Sequence, residues 1–237
     1  MFANWEWQLL TLPPRHFSWR VRGNPLYWSL AERELLEGDY ELLIATSMVD
    51  LATLRGLVPR LAQLPTVLYF HENQFCYPQS QPKHGLLEAQ MVSLYSALAA
   101  DALVFNSLYN QNSFLDGCSS VLGGMPDKVP EGIIPMLRAK SQVLSVPLNE
   151  VEHAPQEDVA AQGPGSWSQT GASFSERPLR LLWVGRFEYD KGGDSLLLIL
   201  QLLEEQAISY ELAVVGQQFR NSPSSFRCIE TEFQHRL

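Results

Sequence analysis

Three features of this 237-residue chain predict an α/β protein built on doubly wound parallel sheets. Apolar runs of strand length recur along it, segments with helical spacing separate them, and polar residues or glycines stand where the runs end. Buried strands interleaved with helices read in this way, and ligands of such sheets sit beyond the carboxyl ends of the strands. With 46% hydrophobic and 18% charged residues the composition is that of an ordinary globular protein, long enough to bury a core without staples.

Asn24-Pro25 supplies a helix cap and a proline at the first helical position, an apolar stretch follows through Leu36, and Gly38 can end the helix. Tyr40 to Thr46 is an apolar run of strand length. Asp50 looks like the cap of a short helix through Leu57, and Pro65 to His71 reads as the next strand. Leu87, Met91, Leu94, Tyr95 and Leu98 fall at helical spacing, and Ala102 to Phe105 makes a strand ending at Asn106-Ser107. A helix through Leu115, an irregular Gly/Pro stretch from Gly117 to Gly132 and a short strand from Gln142 to Val146, closed by Pro147, complete this part.

Residues 149–178 break the rhythm. They are rich in Gly, Ser, Gln, Ala and Glu and hold Glu150, Glu152, Glu157, Asp158 and Glu176 against Arg177, so they read as an acidic linker that carries nearly half of the net charge of −9. Leu179 to Gly185 restarts with a strand, Asp194 can cap a helix through about Glu205, and Tyr210 to Gly216 is again a strand. That is one β-α-β unit at the start of a second sheet.

The acidic balance argues against nonspecific nucleic-acid binding while leaving room for a local basic patch. No apolar run approaches the ~20 residues needed to cross a bilayer, and the start lacks a signal-peptide pattern, so a cytoplasmic protein with no membrane partner is expected. Cys76, Cys118 and Cys228 are odd in number and widely spaced, and read as reduced.

Gly185 to Gly193 (G-R-F-E-Y-D-K-G-G) lies between a strand and a helix. Glycines let backbone approach a ligand, the helix N-terminus favours an anion, and Arg186 and Lys191 add positive charge, so the segment is built like a diphosphate cradle. The bland alternative is an exposed loop whose Arg186 pairs with Glu188 or Asp190. His71 and Glu72 end a strand, where they could meet a ligand; the alternatives are a histidine satisfied by carbonyls, a glutamate capping the next helix, or a metal pair. With His84 they form no compact ligand spacing, so no metal is expected. Asn106 and Ser107 could cap a helix or contact ligand. Arg15, His16, Phe17, Trp19, Arg20 and Arg22 interleave bases with aromatics, either to hold phosphates and stack on unpaired nucleobases or to pack and snorkel on the domain.

The Gly-Arg-x4-Lys-Gly pattern at Gly185, Arg186, Lys191 and Gly192 resembles the donor-phosphate loop of retaining glycosyltransferases with the GT-B fold. Leu12 to Arg20 (L-P-P-R-H-F-S-W-R), Ala45 to Leu51 (A-T-S-M-V-D-L), Phe70 to Pro78 (F-H-E-N-Q-F-C-Y-P) and Val104 to Asn110 (V-F-N-S-L-Y-N) narrow the match. Together they resemble the tRNA-queuosine α-mannosyltransferase family.

That resemblance implies a GT-B fold with an acceptor-side Rossmann-like domain over residues 1–148, a linker over 149–178 and part of a donor-binding domain over 179–237. It implies transfer of mannose from a nucleotide-sugar donor, GDP-mannose, to queuosine in aspartate tRNA, with retention and without metal or other cofactor. Gly185, Arg186, Lys191 and Gly192 would hold the donor phosphates, His71 and Glu72 would be catalytic, and Trp19, Arg20, Arg22, Asn73 and Asn106 would meet the tRNA. Family members start with a further strand and a glycine-containing loop and continue well past the equivalent of Leu237. Both ends are therefore expected to be cut, with an unpaired sheet edge, weak donor binding and little transfer by the chain as written. A GT-B enzyme with a lipid, polysaccharide or small-molecule acceptor, and a noncatalytic binding fragment, are the alternatives.

Overall fold

The structure, a computed structural model, describes residues 5–13, 16–76, 85–148, 178–218 and 222–233. Arg15, His84 and the expected linker, save Pro178, lie outside the described residues. What is described forms two compact units, one before and one after the interval 149–177.

The first unit opens with helix α1 (Phe17–Ala31) and a short α2 (Arg33–Leu36). The Asn24-Pro25 pair, read above as a helix start, lies inside α1, and the reason is a local repair. Pro25 lacks the N–H that the Val21 carbonyl would accept, and the Asn24 side-chain amide donates to that carbonyl (3.1 Å) and to the Arg20 carbonyl (2.7 Å) instead. The same amide reaches the Met48 carbonyl at 3.1 Å, and the Asp50 N–H donates to the Asn24 side-chain oxygen at 3.3 Å, stapling α1 to the loop after the first strand.

Four parallel strands follow: β1 (Leu43–Thr46), β2 (Thr66–Phe70), β3 (Ala102–Phe105) and β4 (Ser141–Val143). They lie in the order 1-2-3-4 with Ala45 beside Leu68, Leu68 beside Leu103 and Phe105 beside Val143. Helices α3 (Leu51–Leu57), α4 (Leu86–Ala99), α5 (Leu108–Gly123) and α6 (Ile133–Ala139) make the crossovers. Successive right-handed crossovers that step the same way place their helices on one side of a sheet. Burial follows that rule. Leu68, Phe70, Leu103 and Phe105 are fully buried in one cluster with Leu51, Leu94, Phe114 and Leu137 from the helices, while the alternate positions Val67, Tyr69 and Val104 are half-buried and Ile44 is exposed.

Asp50 caps α3, accepting from the Thr53 N–H at 3.2 Å, and Ser107 caps α5, accepting from the Asn110 N–H at 3.1 Å. One further expectation for this unit changes. The helix placed through Leu115 continues to Gly123, because Gly117 is there for packing: a Cβ on it would run into the Phe75 ring. Residues 133–141, to which the sequence assigned no element, hold α6 at Ile133–Ala139, which buries Leu137.

The second unit pairs β5 (Leu179–Val184) with β6 (Tyr210–Val215) in parallel and packs α7 (Gly193–Glu205) and α8 (Ser224–Glu232) against them. Leu196, Leu200, Tyr210, Leu212, Phe226 and Ile229 form its core. Gly192, not Asp194, stands at the cap position of α7, and Asp194 lies in the first turn. Among the described residues no helix is long and apolar enough to cross a membrane.

Candidate functional site

In the first unit the carboxyl ends of β1, β2 and β3 are laced together by side chains. Just beyond β1, Ser47 donates to the Glu72 carbonyl (3.0 Å); beyond β3, Asn106 donates to the His71 carbonyl (2.7 Å). The backbone of His71-Glu72 is thereby fixed while both side chains are exposed, the His71 ring resting edge-on against Tyr69 with centroids 4.6 Å apart. Glu72 does not cap the next helix, whose cap position is Gly85 with no side-chain hydrogen bond.

Beneath this rim lies an asparagine network. Asn110 donates to the Phe70 carbonyl (3.0 Å) and to the Asn106 side-chain oxygen (2.9 Å) and accepts from Asn73 (2.8 Å). Asn73 is buried, with its amide on Asn110 and Ser113 and its oxygen accepting from the Phe75 and Cys76 N–H groups at 2.9 and 3.3 Å. Its side chain thus holds the loop after β2 onto α5. Asn110, the hub, was not singled out in the sequence; its place three residues after the Ser107 cap was the available signal.

The aromatic and basic stretch lies on α1. Trp19 is 59% exposed, with its ring folded over Gly23, where a Cβ would come within 2.7 Å of it. Arg20 is half-buried, and its Nε, buried, has no hydrogen-bond partner among the described residues. Arg22 is held by acids: its guanidinium lies 2.5 Å from Asp50, which is 2% exposed, and 3.1 Å from Glu88. A groove of about 540 Å³ passes Arg22, Asp50, Thr53 and Tyr95 and includes none of His71, Glu72, Asn73 or Asn106.

In the second unit, β5 and β6 end together. The Gly185 N–H donates to the Val215 carbonyl (3.0 Å), and a Cβ on Gly216 would collide with the Gly185 carbonyl oxygen, so a glycine is needed there. The loop then closes through a 3-10 turn over Tyr189–Lys191 to Gly192, whose φ of 75° suits glycine, and into α7. An aromatic floor of Trp183, Phe187 and Phe226 supports it, and Trp183 Nε1 donates to the Lys191 carbonyl at 3.2 Å. Arg186 pairs with Glu188 (3.1 Å) and Lys191 with Asp190 (2.5 Å). Burial pushes the Asp190 carboxyl up, but its hydrogen bond and charge interaction with Lys191 outweigh that and hold it below the ordinary carboxylate range. Gly185, Arg186, Lys191 and Gly192 therefore converge at a strand end and a helix N-terminus. Among the described residues no group of three His, Cys, Asp or Glu side chains could hold a metal ion.

Parallel sheets crossed by helices, with polar or glycine-rich turns at the strand ends, define a Rossmann-like α/β protein, consistent over residues 1–148 with the N-terminal domain of a GT-B fold. Residues 1–148 match the family model for the N-terminal part of tRNA-queuosine alpha-mannosyltransferase, and the chain belongs to that family. It is similar to a tRNA-queuosine alpha-mannosyltransferase of Drosophila melanogaster, with 31% identity over 232 residues covering 97% of this chain and 59% of the relative. The chain therefore spans less than two thirds of that relative's length.

Proposed function

We propose that these residues belong to a glycosyltransferase that moves mannose from GDP-mannose to queuosine in aspartate tRNA, with retention and without a metal ion. In this reading residues 1–148 are the acceptor side, 149–178 a linker and 179–237 the start of the donor side. The observation that carries it is the Gly185 to Gly193 loop, which brings two cations to a helix N-terminus in a member of this family. Arg186 and Lys191 would exchange their carboxylate partners for the diphosphate and neutralise the charge that develops on it as the glycosidic bond breaks, with Gly185 and Gly192 allowing close approach.

On the acceptor side, His71 and Glu72 present fixed backbone and exposed side chains, suited to orienting an acceptor hydroxyl and handling its proton. Trp19 offers a face for an unpaired nucleobase and Arg20 a charge for phosphate. Arg22, paired with Asp50 and Glu88, acts by fixing that helix, and Asn73 and Asn106 act by fixing the rim.

The test is transfer of mannose to queuosine-containing tRNA, read as a gel shift, by a protein of the relative's full length carrying these residues. Removing one such electrostatic donor costs about 3 kcal/mol of barrier, so Arg186→Ala should lower turnover at least tenfold. Undiminished turnover in that variant would overturn the assignment.

A further inference from the structure

The N-termini of α7 and α8 meet. A Cβ on Gly193, the first residue of α7, would lie 2.9 Å from Ser225 Oγ and 2.6 Å from the Phe226 ring, and these are the second and third residues of α8. In the chain α7 follows β5 and α8 follows β6, and neither cap position, Gly192 or Pro223, has a side-chain hydrogen bond. First-turn N–H groups of both helices therefore lack side-chain caps in a shared place.

Ser225 is 3% exposed, and its hydroxyl, aimed at the start of α7, has no hydrogen-bond partner among the described residues. Ser222, three residues earlier, carries a second buried hydroxyl without a partner among the described residues. Buried hydroxyls normally find partners, because leaving one unpaired forfeits its hydration for nothing. The Phe226 N–H already donates to the Pro223 carbonyl (3.2 Å), so an oxyanion seated between the two helix ends would accept from the Ser225 hydroxyl and from the N–H groups of the first two residues of each helix.

We infer that Ser225 donates a hydrogen bond to a phosphate of a nucleoside diphosphate held between the N-termini of α7 and α8. The inference rests on the donor-site reading of the Gly185 to Gly193 loop and extends that site to a helix the sequence did not point to. It assigns the loop cations to one side of the diphosphate and the α8 end to the other.

The experiment compares Ser225→Ala and Arg186→Ala in the full-length protein of the turnover assay, with GDP and guanosine titrated by calorimetry and the ligand-free Tm recorded. Ser225→Ala should weaken GDP binding three- to tenfold, leave guanosine binding unchanged, and leave the ligand-free Tm unchanged or raised, since it removes an unpaired buried polar group. A structural serine would behave in the opposite way, with a lowered Tm and unaltered GDP affinity, and that result overturns the inference. GDP affinity lowered by Arg186→Ala but not by Ser225→Ala rejects the role of Ser225 and leaves the donor site standing. Affinity unaffected by either substitution, or no GDP binding by the unsubstituted protein, rejects both.

Discussion

Replacing Asn110 by alanine tests whether the rim that carries His71 and Glu72 is held by the asparagine network. Asn110 is 6% exposed and its side chain makes three hydrogen bonds, to the Phe70 carbonyl, the Asn106 oxygen and the Asn73 amide. None of these partners is left wholly bare by the substitution. The Phe70 carbonyl still accepts from the Asn106 N–H (3.3 Å), Asn73 keeps Ser113 (2.9 Å), and the Asn106 oxygen keeps Ser107 (3.3 Å). The lower range for a lost hydrogen bond, roughly 0.5–1.5 kcal/mol each, therefore applies, and the sum is about 1.5–4.5 kcal/mol. Urea unfolding should show that loss as a lower midpoint with little change in slope. Asn110→Asp keeps the acceptor for Asn73 but turns a carboxylate oxygen toward the Phe70 carbonyl and the Asn106 oxygen, so it should be at least as damaging. A loss below about 0.5 kcal/mol for Asn110→Ala, the scale of an ordinary surface substitution, would refute the reasoning.

Two further outcomes follow from burial and charge. Burial pushes the Cys118 thiol up to about 12, whereas an unfolded chain releases that proton near pH 8.5 or so. Between those values the folded state holds the extra proton, so stability should fall as pH rises, by at most about 1.4 kcal/mol per pH unit, and Cys118→Ala should flatten that slope in urea titrations at pH 8 to 10. Trp19→Ala should weaken binding of aspartate tRNA by about 1–3 kcal/mol if the ring stacks on a base, while thermal unfolding changes little because the ring is exposed; unaltered tRNA affinity would remove Trp19 from the acceptor site.

Strands were legible because buried parallel strands concentrate apolar residues in short runs: β3 occupies the residues its pattern marks, and β1 and β2 start later than their runs because Tyr40 and Pro65 belong to the approaches. Helix ends were harder, since they depend on contacts distant in sequence. Pro25 reads as a start until the Asn24 amide is seen to stand in for the missing donor, and Gly117 reads as a break until Phe75 is seen to occupy the place of its Cβ. The glycine and cation spacing of the Gly185 loop was visible in the sequence, because its geometry is local. The hub role of Asn110 and the approach of Ser225 to Gly193 were not, because each joins an element to one reached only through the fold.

The two units fix their strand ends by opposite means, and the difference bears on what each could bind. At the end of β2 the Phe70, His71 and Glu72 carbonyls are taken by asparagine and serine side chains, which holds His71 and Glu72 in place; such a rim suits hydroxyl-bearing ligands handled by side chains. At β5 and β6 glycines bring the backbone into contact, and helix N–H groups face the loop, which suits an anion. Arg186 and Lys191 are not bare there: Glu188 and Asp190 sit on them, and the low pKa of Asp190 keeps it ionised throughout the neutral range. The loop is therefore close to neutral, and under the proposed donor-site reading a diphosphate would have to displace carboxylates rather than meet naked charge. This makes the Ser225 hydroxyl, which has no hydrogen-bond partner among the described residues, a donor that can favour phosphate over the loop's own acids.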